Sequence, residues 1–102
     1  MPVKTRRWDA AEHLETPEDI AAYLDAALDD GDPQLVTAAL GDVARARGMT
    51  QLARDAGLSR ESLYRALSEG GNPEFGTVVR VLRALGLRLG AHPAEERGRE
   101  IA

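Results

Sequence analysis

The chain has 102 residues, 43% of them hydrophobic but only 4% aromatic, and no cysteine. That size allows one domain with a modest core of Leu, Val and Ala, and it excludes disulfides, thiolate catalysis and Cys-ligated zinc. The net charge of −4 argues against a surface devoted to phosphate, yet its distribution is uneven: residues 9–32 hold nine acids and no Lys or Arg, whereas residues 45–88 hold eight arginines against four acids. Such asymmetry points to two partners of opposite charge.

The N-terminal stretch MPVKTRRWDAAEHL is basic but lacks an apolar run, so it does not resemble a signal peptide. Thr16 is placed to cap a helix beginning at Pro17, with Asp19 three residues after the cap. Ile20, Tyr23, Leu24, Ala27 and Leu28 then form a helical stripe that stops at Gly31. The Asp32-Pro33 pair repeats the cap-plus-proline signature, and Leu35, Val36, Ala39, Leu40, Val43 and Ala44 line one face as far as Gly48.

Two shorter helices follow, Met49 to Ala56 and Arg60 to about Glu69, separated by Gly57-Leu58-Ser59, with Ser59 as the second N-cap. The run GGNP at 70–73 breaks the chain. A fifth helix is expected from about Glu74 to Leu85 through Phe75, Val78, Val79, Leu82 and Leu85. After it LRLGAHP alternates like a short strand, and a polar tail closes the chain. The arginines at 80, 83 and 88 interrupt the richest apolar stretch, which argues against a membrane span and for a cytoplasmic protein.

The stretch GMTQLARDAGLSRESLYRALS carries the functional signal. Two helices that meet at a sharp angle through a short turn need small side chains at the crossing, which Ala53, Gly57 and Ala66 provide, while Leu52, Leu58, Leu63 and Leu67 point inward. This spacing describes a helix-turn-helix. Its second helix presents Ser59, Arg60, Glu61, Tyr64 and Arg65 outward, the position from which such a helix reads base edges in the major groove. Thr50 and Gln51, at the start of the first helix, are candidates for holding phosphate, with Ser62, Ser68 and Asn72 adding contacts to the DNA backbone.

These residues resemble the Cro/C1-type helix-turn-helix proteins, and more specifically the HigA-like antidote proteins of addiction modules paired with RelE/HigB-like toxins. The resemblance rests on GMTQLARDAGLSRESLYRAL and GNPEF, together with YLDAALDDGDPQLVTAALGDVARARGM upstream, and spans about Asp9 to Leu89. It implies an all-α fold: a five-helix Cro/C1-type domain with an extra N-terminal helix and a short C-terminal extended segment. It further implies a homodimer that binds double-stranded operator DNA, represses its own operon and neutralises a small basic toxin, usually an mRNA endonuclease. No toxin-contacting residue carries over from the resemblance.

Independently, the acids between Asp9 and Asp32 would repel DNA and attract a basic protein. Trp8, Asp9, Glu12, Glu18 and Asp19 are the candidate partner contacts, with Trp8 either an interface anchor or a cap on the chain's own core. The expected organisation is an arm and acidic helix at 1–32, a DNA-binding unit at 33–92 and a tail at 93–102. Leu87 and Leu89 either join the dimer surface or close the monomer core.

No enzyme or cofactor is expected. His13 and His92 lie far apart without ligand spacing, and neither glycine-rich turn has the order of a phosphate-binding loop. Two other readings compete with the antidote: a stand-alone Cro/C1-type repressor without a toxin, and a helical adaptor that binds protein only.

Overall fold

The computed structural model describes residues 13–94, which form five α-helices and, among those residues, no strand. They are α1 (Pro17–Asp30), α2 (Pro33–Arg47), α3 (Met49–Ala56), α4 (Arg60–Ala66) and α5 (Phe75–Ala84). The first three have the bounds that their caps announce. Thr16 Oγ1 accepts the Asp19 N–H at 3.1 Å and Asp32 Oδ1 accepts the Gln34 N–H at 3.0 Å, each with proline at the first helical position.

α3 ends on Gly57, whose φ of 73° lies in the left-handed region that side chains with a Cβ avoid. There the Leu58 N–H reaches back to the Ala53 carbonyl at 2.9 Å and the Gly57 N–H to that of Arg54 at 3.1 Å, a Schellman closure, with Leu58 packed against the core. α4 is shorter than its sequence suggests and stops at Ala66. The Ser68 hydroxyl bonds the Arg65 carbonyl there at 2.9 Å, just before Gly70 and Gly71.

α1 and α2 form an antiparallel hairpin, α2 lies on α3, and α3 packs against both α4 and α5. One core runs through all five helices, with Ile20, Val43, Leu63, Val81 and Leu85 at zero exposure. The chain closes on itself where Gly86, after α5, meets Pro17 at the start of α1. Each fully buried leucine or isoleucine stabilises the fold by about 1.5–3 kcal/mol.

The expected stripes are corrected at their edges. Leu28, Leu35 and Phe75, all assigned to inward faces, are exposed. Leu28 and Leu35 flank the turn between α1 and α2, where no further element among the described residues covers the hairpin end, and Phe75 opens α5 before the helix has reached the core. Ala66 is half-buried, because the inward line of α4 runs through Leu63 and Leu67 and leaves Ala66 on its flank. The expected strand after α5 is absent as well. Residues 87–94 have no strand-pairing partner among the described residues, and the alternation reflects Leu87 packing on the core beside exposed Arg88 and Leu89.

Candidate nucleic-acid interface

The α3–α4 pair places its polar residues as the spacing predicts. Arg60, Glu61, Tyr64 and Arg65 are exposed on α4, Tyr64 at 60%, while Leu63 between them is fully buried. The helix can present that face because its inner side needs only Leu63 and Leu67 to anchor it. Ser59 lies at its start with φ −75° and ψ 153°, and its Oγ accepts the Ser62 N–H at 3.0 Å, which fixes the first turn. The Ser59 hydroxyl in turn donates to Ser62 Oγ at 2.8 Å, so the two serines form one hydroxyl pair at the exposed helix entrance.

At the start of α3, Thr50 and Gln51 are exposed and the N-cap is Gly48, which offers no side-chain bond to the first-turn amides. Those amides are therefore open to an external acceptor such as a phosphate oxygen. Gln51 is not simply poised for one, since its Nε2 donates to Asp55 Oδ1 at 2.9 Å along the helix surface. Ser68 is half-buried with its hydroxyl on the Arg65 carbonyl, and Asn72 is exposed in the break after α4.

One buried polar arrangement gave no signal in the periodicity. Asp42, 7% exposed on α2, accepts the Tyr23 hydroxyl on Oδ2 at 2.6 Å and an Arg45 guanidinium N–H on Oδ1 at 2.8 Å. Tyr23 belongs to the apolar stripe of α1, so the bond ties the hairpin together through a buried carboxylate. Arg45 then borders a small groove of about 150 Å³ that Met49, Tyr64 and Leu67 also line. Gly41 lies beside it, and a Cβ there would come within 2.9 Å of the Leu67 carbonyl. A glycine in mid-helix costs about 1 kcal/mol against alanine, and that cost was the available sign that α2 and the end of α4 touch here.

The candidate partner residues divide. Glu18 and Asp19 are exposed in the first turn of α1, a position that the helix dipole favours for acids. Trp8, Asp9 and Glu12 lie outside the described residues. Among the described residues no helix is long and apolar enough to cross a membrane, and no group of three or more His, Cys, Asp or Glu is placed to hold a metal.

Comparison with known proteins adds a family. Residues 4–93 match the family described as probable addiction module antidote protein. The chain is also similar to an uncharacterized protein of Haemophilus influenzae strain Rd, 51% identical over 89 residues that cover 87% of this chain and 92% of the relative. No solved structure matches.

Proposed function

This chain belongs to the family of probable addiction module antidote proteins, and from that membership, which implies a toxin partner, we propose that it is the antitoxin of a type II toxin-antitoxin module. Its toxin in this reading is a small basic RelE/HigB-like mRNA endonuclease, and the antitoxin represses its own operon as a dimer through α3 and α4, a Cro/C1-type helix-turn-helix. The observation that carries the DNA half is the exposed row Arg60, Glu61, Tyr64 and Arg65 on a helix anchored only by its opposite side.

In this reading the N-terminal end of α4 enters the major groove, and Arg60 or Arg65 makes a bidentate contact to guanine. Tyr64 lays its ring or hydroxyl along the groove, and the open amides of α3 hold a phosphate. A single domain covers one half-site, so a dimer sets two such helices about 34 Å apart. Leu89 and the exposed face of α5 supply the dimer contact, since Leu87 is already engaged with the core. In this reading the arm with α1 meets the toxin, and the helix-turn-helix within residues 33–92 meets DNA.

The test has two arms. Cells expressing the reading frame adjacent to this gene should arrest, and this chain supplied from a second plasmid should relieve the arrest; arrest without relief rules out the antidote role. In a gel-shift assay on the upstream region, Arg60→Ala and Arg65→Ala should weaken binding, and unchanged affinity removes α4 as the reading helix.

A further inference from the structure

The tip of the α1–α2 hairpin combines features that the fold does not need. Leu28 and Leu35 each lie one helical turn from the Gly31-Asp32 link and are 48% and 42% exposed, whereas Ile20, Leu24, Leu40 and Val43 of the same helices are buried. From residue 13 to residue 44 the chain has eight carboxylates and no Lys or Arg. Asp25 stands one turn before Leu28 on the same face of α1, and Asp29 and Asp30 follow it, all exposed.

Those last two aspartates are locally unfavourable. They occupy the C-terminal turn of α1, which contains no basic residue, where the helix dipole places partial negative charge of its own. Anions at that end repel the helix carbonyls and each other. Residues that break a local rule without a compensating contact among the described residues are expected at functional or strained positions, and a cation from outside would relieve the clash.

We infer that this tip is the docking surface for the basic toxin, taking an apolar side chain against Leu28 and Leu35 and flanking Lys or Arg residues against Asp25, Asp29 and Asp30. The inference rests on the antidote reading and deepens it. Charge complementarity selects the occupant: DNA is repelled by the same carboxylates, and an uncharged partner would leave them unrelieved.

The experiment uses the full chain and the purified product of the adjacent reading frame, titrated calorimetrically at low and high salt. L28S/L35S should weaken binding by roughly tenfold or more with an unchanged melting temperature and unchanged DNA binding. D29N/D30N should flatten the salt dependence while raising the melting temperature. Wild-type affinity in L28S/L35S overturns the proposal, as does conversion of a dimer to a monomer by that variant, which would assign the tip to a second copy of this chain. Should L28S/L35S melt early, D29N/D30N decides alone, and an unaltered salt dependence overturns the proposal. A product that does not bind the wild-type chain refutes the antidote reading, and the docking surface with it.

Discussion

The hairpin of α1 and α2 and the group α3 to α5 share one core but differ in what they show to solvent. The hairpin is anionic up to Arg45, and its exposed leucines, Leu28 and Leu35, lie at one end. The second group exposes arginines and a tyrosine on short helices held by few buried side chains. Hydrophobic burial makes no distinction between the two, since Ile20 and Leu63 are equally inaccessible. Surface charge, which contributes little to folding, separates them, and the proposed function rests on that separation.

The severest way to break the comparison is through the common core. Leu63→Ala should cost about 2–5 kcal/mol by removing a fully buried side chain, and chemical denaturation should show one transition lost from both halves together. Two separate transitions would mean that the hairpin folds as its own unit. Arg60→Ala acts on one half alone: operator affinity should fall by about 1–3 kcal/mol while affinity for the toxin stays unchanged, and a parallel loss of both would merge the two surfaces.

Gly41→Ala probes the seam between the halves. Its Cβ would press on the Leu67 carbonyl, so stability should drop by about 1–3 kcal/mol in a thermal melt; a neutral result would show that the end of α4 moves aside freely. Ser59→Ala is expected to have the smallest effect. Loss of the cap to the Ser62 N–H should cost about 1 kcal/mol and weaken DNA binding slightly, and no change in helicity or stability would show that the entrance of α4 is held by other contacts.

Much of this was legible in the residues alone. Thr16-Pro17, Asp32-Pro33 and Ser59 state where helices begin, because a side-chain oxygen three residues or fewer from an open amide is a local device. Periodicity found the inward positions at Leu52, Ala53, Leu63 and Leu67, and with them the exposed face of α4. It overreached at Leu28, Leu35 and Phe75, since periodicity reports which side of a helix is apolar and not whether another element reaches that far along it.

Helix starts, the inward line of each helix and the division of charge were thus determined by the sequence itself, through interactions within a few residues of one another. Tertiary structure alone decided that Asp42 is buried between Tyr23 and Arg45, that Gly41 faces the end of α4, and that the leucines of the hairpin tip stay exposed. Each of these depends on residues far apart in the chain meeting, or failing to meet, and no local pattern encodes that outcome.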